Sequence, residues 1–477
     1  MHRPRLSDAT FQLATADRPG YDRGRVSSGV VHLGLGAFAR GHLAVYLDDL
    51  LAAGHHRYGI TGVSLRSGDI THALAPQDWL YTVGAVEGTT ISPRVVASVL
   101  EVLHAPTQPA RVRQVLAARA TSVISMTVTE KGYCTDSASK RLDLDHPDIR
   151  HDLRTPEHPR SLPGQLLLAA RDRRDQGTGG ATLLSLDNMP ANGHTLRGAL
   201  ADLAAATDAS LADWIEAHFR FPCSMVDRIT PATDAAFRER VAELTGLDDA
   251  WPVKTEPYSQ WVVERGWYGA TPPLDEVGVS IVDDVAPWET MKLRILNGMH
   301  TAAAHYGLRH GLDTIDEVTA SREGHGLLRR VAAEVTEVLT PPPGVDLPTY
   351  VAATLRRFAN PALGHLCAQI ATDTSQKLPQ RLLDTVRLRL DRGLPIDGLA
   401  ETIALWAWST LGRDHTGAAR TVNDPLAVEY AVIAARSSGD PAQLTAALLA
   451  METIFGDLAG NPRLVGAVTT SLRPLLG

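Results

Sequence analysis

Long apolar runs are missing from this sequence. No stretch of about 18 consecutive apolar residues occurs, which predicts that no segment crosses a membrane. The first twenty residues, MHRPRLSDATFQLATADRPG, contain no apolar core of signal-peptide length. The formal net charge is −8, so an excess of positive charge for binding nucleic acid is also missing. We therefore expect a cytoplasmic protein whose partner is neither a membrane nor a nucleic acid.

Metal-binding patterns are scarce as well. The three cysteines, Cys134, Cys223 and Cys367, are far apart and fit neither a zinc spacing nor a disulfide framework. The 18 histidines include no HExxH motif, and no other pair of ligands at metal-binding spacing occurs. We predict reduced cysteines and no bound metal.

The first part of the chain alternates between strand-like and helix-like segments. Short apolar runs occur at 29–36, 58–65, 121–130, 181–188 and 277–285, with helical patterns such as 40–54 and 163–177 between them. This alternation predicts βαβ units and a mostly parallel sheet. We expect an α/β domain over residues 1–284.

The second part of the chain has a different pattern. Helical periodicity dominates after residue 284, and the predicted helices are 288–309, 324–339, 348–358, 378–393, 396–411 and 440–455. We therefore predict a mainly α-helical domain over residues 285–477.

A glycine-rich loop follows the first predicted strand, in VVHLGLGAFARGH. Gly34, Gly36 and Ala39 fit the pattern G-x-G-x-x-A, and Ala37 and Phe38 lie between them. The first glycine permits a tight turn, the second lets a pyrophosphate approach the backbone, and the alanine allows close packing of helix on strand. The strand–turn–helix context favours a Rossmann-type domain with NAD as cofactor. The alternative is a glycine turn with a purely structural role.

Two charged residues follow the second predicted strand, in LRSGD. An acid near this position usually accepts hydrogen bonds from the ribose hydroxyls of NAD, which makes Asp69 the candidate although it lies farther along than usual. Arg66 could instead bind the 2′-phosphate of NADP. Both could also be solvated loop charges.

The ends of the third and fourth predicted strands carry polar residues. Thr129, Glu130 and Lys131 follow one strand, and Asp187 and Asn188 follow the next. Ligands bind beyond the carboxyl ends of strands in open α/β sheets, so a carboxylate and an amide are expected where a nicotinamide should lie. Each residue alone could equally be a helix cap or turn residue.

One predicted helix, containing MKLRILNGMH, carries polar groups on its apolar side. With α-helical periodicity, Lys292 falls inside the apolar stripe, His300 at its edge and Asn297 just beyond it. A lysine in an apolar setting loses its proton easily, as a general base requires. The alternative is a lysine that reaches out to water and a hydrogen-bonded core histidine.

Six segments together resemble the mannitol dehydrogenase family of long-chain, metal-independent polyol and hexuronate dehydrogenases. The segments are VHLGLGAFARGH, TVTEKGYC, SLDNMPANG, FPCSMVDRITP, MKLRILNGMH and SQKLPQRLLD. The resemblance runs over nearly the whole chain. It implies a Rossmann-type N-terminal domain, a mainly helical C-terminal domain and an active site in the cleft between them.

The resemblance also implies roles for individual residues. The catalytic lysine of the family falls on Lys292, a general base in alcohol oxidation and a general acid in ketone reduction. The two asparagines that hold the reacting oxygen fall on Asn188 and Asn297. The histidine that orients the substrate falls on His300, and the acid that assists proton exchange falls on Glu130.

Substrate contacts of the family fall on Asp227 and Lys377. The segments TVTEKGYC and QIATDTSQKLPQR are most similar to those of fructuronate reductases, also called mannonate oxidoreductases. Mannitol enzymes tend to carry arginine where this chain has Gln369, a third position expected to contact substrate. Two departures from the family pattern, Ala39 in place of a histidine and Thr374 in place of a glycine, leave the exact substrate open.

The sequence therefore predicts an NAD-dependent dehydrogenase that acts on an open-chain sugar derivative. D-mannonate and D-fructuronate are the expected pair. The first alternative is a polyol 2-dehydrogenase, acting on mannitol and fructose or on arabinitol and xylulose. A more remote alternative is a catalytically inactive NAD-binding regulator. A zinc-dependent dehydrogenase is disfavoured because no ligand cluster is visible.

Overall fold

The protein is described by a computed structural model covering residues 3–136, 139 and 141–476. Contacts within the chain divide it into two compact units, Met1–Ala286 and Pro287–Gly477. Within the described ranges, none of the helices has the length and apolar character needed to span a membrane. The two units have different architectures, in agreement with the predicted fold class.

A six-stranded parallel sheet forms the centre of the first unit. Its strand order is β5-β2-β1-β6-β7-β8, and every pair of neighbours is parallel. When only these six strands are counted along the chain, the order is 3-2-1-4-5-6, the order of a Rossmann fold. The strands are β1 Ser28–Leu33, β2 Gly59–Ser64, β5 Val99–His104, β6 Val123–Met126, β7 Ala181–Ser185 and β8 Phe219–Arg220.

The predicted strands at 29–36, 58–65, 121–130 and 181–188 correspond to β1, β2, β6 and β7. The fifth prediction, 277–285, is wrong as a strand of this sheet. Only β12, Ser280–Val282, forms there, and it pairs with β11, Gln260–Glu264, which is antiparallel to β9, Ser224–Asp227. All three residues of β12 are half-buried, because the strand lies at the edge of a small sheet.

A third sheet and nine helices complete the first unit within the described ranges. The sheet joins β10, Val253–Thr255, to the hairpin of β3, Tyr81–Glu87, and β4, Thr90–Val96. The predicted helix 40–54 is two helices that meet at His42, whose φ and ψ are −123° and −81°. The helices are α1 Ala37–Gly41, α2 Leu43–Ala52, α3 Asp69–Leu74, α4 Pro109–Ala117, α5 Pro147–Arg154, α6 Leu162–Gln176, α7 Asn192–Thr207, α8 Ala209–His218 and α9 Ala235–Thr245.

The described part of the second unit is helical and packs around one apolar core. Five of its helices lie outside the predicted ones, apart from the last residue of the third: Ile315–Ala320, Cys367–Ile370, Thr374–Leu378, Ala427–Ser437 and Pro462–Leu472. The α-helices are α10 Ala286–Met291, which begins at the end of the first unit, α11 Gly298–His310, α12 Ile315–Ala320, α13 Arg322–Val338, α14 Leu347–Phe358, α15 Cys367–Ile370, α16 Thr374–Leu378, α17 Asp384–Asp391, α18 Asp397–Ser409, α19 Ala427–Ser437, α20 Pro441–Leu449, α21 Glu452–Phe455 and α22 Pro462–Leu472.

Two π-helical turns interrupt helices that the periodicity predicts as regular. One spans Lys292–Asn297, between α10 and α11, and the other spans Pro379–Leu383, between α16 and α17. Pro379 has no N–H to donate, which disturbs the α-helical hydrogen bonding locally. Short π-helical turns are frequent at functional sites. The uniform helical wheel is therefore wrong over 292–297. Lys292 and His300 are buried, and Asn297, which the wheel places just beyond the apolar stripe, is buried as well.

Candidate active site

The glycine-rich turn after β1 can be formed only with glycine at its first position. Gly34 has a φ of 86°, and a Cβ placed there would lie 2.2 Å from the carbonyl oxygen of Thr127. The Gly34 N–H donates to the Val63 carbonyl at 2.8 Å, and the Gly36 N–H donates to the Gly34 carbonyl at 2.7 Å. The turn is thus fixed against β2 and the end of β6, at the carboxyl edge of the parallel sheet.

The second glycine of the turn leaves its backbone accessible. Gly36 is exposed, and a Cβ there would have one neighbour within 4 Å, the Gly34 carbonyl oxygen at 3.8 Å. A phosphate could approach this backbone closely, which fits the geometry of a dinucleotide site. Ala39 is fully buried, while Ala37 and Phe38 are half-buried, and the Phe38 ring stacks on His42 with centroids 5.0 Å apart. Helix α1 is only five residues long, shorter than predicted.

The two candidates for ribose recognition lie beyond the end of β2. Arg66 and Asp69 are both exposed. Asp69 is the first residue of α3, and its carboxylate accepts a hydrogen bond from the Ser67 hydroxyl. An acid in the first turn also stabilises a helix through the helix dipole.

Asp187 joins the ends of β6 and β7. Its carboxylate accepts hydrogen bonds from the N–H groups of Val128 at 2.9 Å and Thr129 at 2.8 Å, and from the Tyr133 hydroxyl at 2.7 Å. Burial raises the pKa of Asp187, and these three donors oppose the rise. Thr129 has a φ of 66°, unusual for a residue other than glycine, and Asp187 fixes its N–H in that conformation.

The arrangement around Asp187 orders the two residues predicted to face the reacting group in this unit. Glu130 follows Thr129, and Asn188 follows Asp187, so the same carboxylate fixes the backbone next to both. Glu130 and Asn188 are themselves exposed. The structure therefore brings these two strand ends together at one edge, as the sequence predicts, and adds Asp187 as a positioning residue.

Asp227 lies apart from the main sheet. It is the last residue of β9 in the small sheet, is 5% exposed and pairs in register with Gln260. The next residue, Arg228, donates to the carbonyl oxygens of Gly41 at 2.7 Å and Glu256 at 3.2 Å. The position of Asp227 is therefore fixed by the sheet and by these neighbouring bonds.

One group of metal-ligating side chains occurs in the described part of the chain. His194, Cys223 and Glu264 have ligand atoms within 4.8 Å of one another. The Glu264 carboxylate accepts hydrogen bonds from the N–H groups of Cys223 at 2.9 Å and Val285 at 3.2 Å. These bonds give Glu264 a structural role. The sequence spacing could not predict this group, because its members come from three distant segments.

Three predicted residues come together in the second unit. Lys292, Asn297 and His300 are 7%, 5% and 9% exposed, on the π-helical turn and the first turn of α11. Within the described residues, nothing forms a hydrogen bond with Asn297 Nδ2 or with His300 Nε2, although both atoms are buried. Buried polar atoms normally have partners, so these two indicate a place for a polar ligand.

The electrostatic surroundings keep His300 neutral. Burial is the main cause that lowers its pKa well below the usual value, and the charges of His365, Arg381, Arg357 and Lys292 lower it further. The His300 ring also stacks on Phe358, with centroids 4.0 Å apart and an interplanar angle of 14°. A neutral imidazole can donate one hydrogen bond and accept another, as an orienting residue requires.

The remaining candidates in the second unit lie on α15, α16 and the turn between them. Gln369 is exposed. The Lys377 ammonium donates to the carbonyl oxygens of Ile370, at 3.3 Å, and Thr372. Thr374, one of the two departures from the family pattern, is buried, and its hydroxyl forms a hydrogen bond with His305 Nε2 at 3.1 Å.

No sequence pattern indicates a role for Phe358 or for the two arginines whose charges act on His300. Arg357 precedes Phe358 in RRFANP, and Arg381 follows the π-helix proline in KLPQR. Neither segment has a spacing that indicates a site, because Phe358 contacts His300 through tertiary packing and the arginines act on it through their charges. The only available signal was the density of basic residues around these two segments.

Comparison with known proteins identifies the family. Residues 28–276 match the mannitol dehydrogenase Rossmann domain, and residues 284–476 match the mannitol dehydrogenase C-terminal domain. D-mannonate oxidoreductase of Escherichia coli K12 is 40% identical over 96% of this chain and 95% of that protein. Mannitol 2-dehydrogenase of Cereibacter sphaeroides is 37% identical over 95% of each chain.

Among solved structures, mannitol 2-dehydrogenase of Pseudomonas fluorescens, in a ternary complex with NAD and D-mannitol, is similar to this chain. It is 34% identical with a TM-score of 0.87, over 99% of this chain and 96% of that one. These findings confirm the predicted family and fold class and agree with the predicted NAD-dependent enzyme class. The chain belongs to the mannitol dehydrogenase family.

Proposed function

We propose that this chain is an NAD-dependent, metal-independent dehydrogenase that interconverts D-mannonate and D-fructuronate. In the oxidising direction a secondary alcohol loses a hydride to NAD⁺ and a proton to the protein, and the product is the ketone. The observation that carries the proposal is the buried group of Lys292, Asn297 and His300, in which two polar atoms lack a partner among the described residues.

The turn at Gly34 and Gly36 is the proposed phosphate-binding element of the first unit. It fits the cofactor because the Gly36 backbone is open to an approaching anion. NAD supplies the hydride acceptor in oxidation and, as NADH, the hydride donor in reduction. We propose that Ala37 and Phe38 also line this site and that Asp69 lies near the adenosine ribose.

Lys292 is the proposed proton-transfer residue. Its Nζ accepts the hydroxyl proton as the alcohol is oxidised and returns a proton to the oxygen as the ketone is reduced. We propose Asn297 as an amide donor to this oxygen, which favours the charge that develops on it, and Asn188 as a second donor, as the family resemblance implies. Asn297 Nδ2 suits this role because it is a buried donor that forms no hydrogen bond with the described residues.

His300 and Glu130 have supporting roles in this proposal. The neutral His300 ring contacts a substrate hydroxyl through Nε2 and orients the carbon chain. Glu130 is exposed, so it can exchange protons between the site and water. Asp227, Lys377 and Gln369 are the proposed contacts to the rest of the substrate.

A sugar acid is the proposed substrate because the 40% identical relative is a D-mannonate oxidoreductase. The competing polyol function is supported by the 37% identical mannitol 2-dehydrogenase. The two functions differ in one chemical respect, since only the first needs a cation for a substrate carboxylate.

A substrate panel decides between them. Initial rates at 340 nm are measured with D-fructuronate, D-tagaturonate, D-fructose and D-xylulose, each with NADH and NADPH. We expect kcat/KM for fructuronate with NADH to exceed that for fructose at least tenfold. A tenfold lead of fructose or xylulose would establish the polyol function instead. Absence of turnover with every substrate and both cofactors would favour the inactive regulator.

The same assay tests metal independence. Dialysis against EDTA should leave the rate unchanged, because the proposed chemistry needs only Lys292, the two asparagines and NAD. Loss of activity that zinc restores would refute this part of the proposal and would direct attention to His194, Cys223 and Glu264.

A further inference from the structure

We propose that His32 is a positioning residue for NAD binding, because it orients the hydroxyl of Thr127 that fixes the carbonyl group of Gly34 in the glycine-rich turn. The inference rests on the proposed role of this turn as the phosphate-binding element. His32 lies in the apolar strand β1 and is fully buried. The donors and acceptors around its ring indicate one direction for each hydrogen bond beneath the turn.

The pairing of β1 with β6 brings a hydroxyl group to each nitrogen of the His32 ring. His32 pairs in register with Ser125, and Thr127 follows the end of β6. The Nδ1 atom lies 2.9 Å from the Ser125 hydroxyl oxygen, and Nε2 lies 3.0 Å from the Thr127 hydroxyl oxygen. Burying a polar atom costs free energy unless it is hydrogen-bonded, and here both nitrogens of the buried ring have partners.

The Thr127 hydroxyl indicates which nitrogen carries the ring proton. A hydroxyl has a single proton, and Thr127 donates it to the Gly34 carbonyl oxygen at 2.8 Å. The hydroxyl oxygen must then accept from His32, so the proton is on Nε2, and Nδ1 accepts from the Ser125 hydroxyl. In the opposite tautomer the Thr127 proton would turn towards Nε2, and the Gly34 carbonyl would lose this donor.

The His32 ring is neutral at pH 7, as this chain of hydrogen bonds requires. Burial lowers the pKa of His32 to about 3, and the nearby Gly34 carbonyl opposes this only in part. A protonated ring would donate from both nitrogens and could not accept from Ser125. A chain of buried hydrogen bonds in which every member is paired is rigid, because a change at one member affects the next.

The chain ends on the residue that determines the shape of the turn. Gly34 has a φ of 86°, and its carbonyl accepts from the Gly36 N–H at 2.7 Å as well as from the Thr127 hydroxyl. These two donors fix the peptide group after Gly34 and, with it, the exposed backbone of Gly36. Binding is tighter when the binding group is already in its final conformation, so losing the Thr127 hydroxyl should weaken NADH binding.

A buried histidine of the second unit offers a comparison. His305 also has a hydroxyl group at each ring nitrogen, with Ser409 3.0 Å from Nδ1 and Thr374 3.1 Å from Nε2. The Thr374 hydroxyl donates to the Ala371 carbonyl oxygen at 2.8 Å. The two histidines have similar surroundings, but the chain from His32 ends on the glycine turn and the chain from His305 belongs to the other unit. Substitutions at His305 and Thr374 can therefore serve as matched controls.

The first test changes Thr127 and measures NADH affinity separately from folding. The Kd of NADH is measured by fluorescence titration and the melting temperature by thermal unfolding. Thr127→Val keeps the shape of the side chain but removes the hydroxyl, and the Kd should rise about tenfold, as expected for about one lost hydrogen bond. Thr127→Ser keeps the hydroxyl, so the Kd should stay within about threefold of the wild type.

The second test compares two substitutions of His32. The Gln amide reaches the place of Nε2 and can still donate to Thr127, whereas the shorter Asn amide replaces Nδ1 and leaves Thr127 without its donor. The Kd of NADH should rise about tenfold in His32→Asn and about threefold or less in His32→Gln. Both variants remove a buried ring and should lower the melting temperature, so a purely structural role would raise the Kd equally in the two.

Thr374→Val and His305→Asn are the controls. They make the same changes in the second unit and should leave the Kd of NADH unchanged, whatever their effect on the melting temperature. An equal rise in the Kd of the control variants would show that loss of stability alone weakens NADH binding and would overturn the inference. If His32→Asn fails to fold, Thr127→Val, which keeps the side-chain volume, supplies the result.

The ring tautomer can be observed directly in the wild type. Nitrogen-15 NMR of protein labelled at histidine distinguishes a ring protonated at Nε2 from one protonated at Nδ1, and the signal missing in His32→Gln belongs to His32. We expect a neutral ring with its proton on Nε2 at pH 7. A proton on Nδ1, or on both nitrogens, would contradict the proposed chain of hydrogen bonds.

The outcomes separate this inference from the proposed role of the turn. If Gly36→Ala leaves the Kd of NADH unchanged, the turn is not the phosphate-binding element, and the inference fails with it. If Gly36→Ala weakens NADH binding but Thr127→Val does not, the turn keeps its proposed role and the positioning role of His32 is wrong. Equal changes in His32→Asn and His32→Gln would also overturn the positioning role.

Discussion

The two units position their candidate residues in different ways. In the first unit the side chains expected to act, Glu130, Asn188 and Asp69, are exposed on loops or at a helix start beyond strand ends. In the second unit Lys292, Asn297 and His300 are buried on a helix. For these six residues, the first unit fixes the backbone and leaves the side chains accessible, whereas the second unit buries the side chains.

This difference determines how each unit should respond to mutation. Changes in the first unit act mainly through backbone geometry, as at Gly34 and Asp187. Changes in the second unit act through charge and hydrogen bonding in a buried setting, where an unsatisfied polar group is costly. The following predictions are ordered from the largest expected effect to the smallest.

Lys292→Ala should give the largest loss of turnover. General acid–base catalysis contributes roughly 10²–10⁴-fold, so kcat should fall by at least about a hundredfold. NADH affinity should stay near that of the wild type, because the proposed cofactor contacts belong to the other unit. Turnover within about fivefold of the wild type would show that Lys292 is not the proton-transfer residue. Stopped-flow and fluorescence titration of NADH measure the two quantities separately.

Gly34→Ala should lower the stability of the first unit, whereas Gly36→Ala should lower the affinity for NADH. At Gly34 a methyl group meets the Thr127 carbonyl at 2.2 Å and the φ of 86° is strained, so the first unit should lose about 1–3 kcal/mol of stability or more. At Gly36 a methyl group has space, so the melting temperature should hold while NADH affinity falls about tenfold, or 1.4 kcal/mol. Equal melting temperatures for the two variants would contradict this account of the turn.

Acid should destabilise the second unit through His305. Its ring is buried between Thr374 and Ser409, and burial lowers its pKa to about 3. The unfolded chain takes up a proton near pH 6.5 and the folded chain does not, so stability is complete above that pH and decreases as pH falls below it. At pH 5 the loss is about 2 kcal/mol for this residue.

Urea unfolding at pH 7 and pH 5 measures this effect. His305→Gln should reduce the difference between the two pH values by about 2 kcal/mol. The exposed His415 provides the matched control, and His415→Gln should leave the difference unchanged. An undiminished difference in His305→Gln would assign the acid sensitivity to another group, such as His32 of the first unit, whose burial also lowers its pKa to about 3.

Asp69→Ala should have the smallest effect. The carboxylate repels the 2′-phosphate of NADP across a solvent-exposed site, where two charges about 4 Å apart interact by about 1 kcal/mol. In Asp69→Ala the ratio of kcat/KM for NADH to that for NADPH should therefore decrease by about fivefold. A wild type that already prefers NADPH would exclude this role and favour Arg66 as the cofactor contact.

The sequence was most informative where local pattern determines structure. The strands β1, β2, β6 and β7 were predicted from apolar runs, and the glycine turn from its spacing. The edge strand β5 was missed because its sequence, VLEVLH, includes an acid, and β12 was assigned to the wrong sheet because local pattern does not specify pairing. Register and sheet membership depend on distant contacts.

The candidate site shows the same limit. Burial of Lys292 and His300 followed from helical periodicity and the family resemblance, but the π-helical turn did not, since a hydrogen bond to the fifth residue leaves no simple mark in the sequence. The positioning role of Asp187 and the action of the Arg357 and Arg381 charges on His300 also arise from packing between segments. Single-sequence periodicity contains no information about such pairs.

Because of the π-helical turn at Lys292–Asn297, the orientation of Lys292 relative to His300 depends on the number of residues between them. A π-helical turn accommodates one residue more than the α-helical turn that it replaces, and each residue of an α-helix rotates the next by about 100°. Deleting one residue there would allow a continuous α-helix and would improve its backbone hydrogen bonding. The deletion would also turn Lys292 by about 100° away from the face that carries His300. The chain can therefore have either a continuous α-helix here or Lys292 on the same face as His300, but not both. The extra residue of the π-helical turn gives the second arrangement.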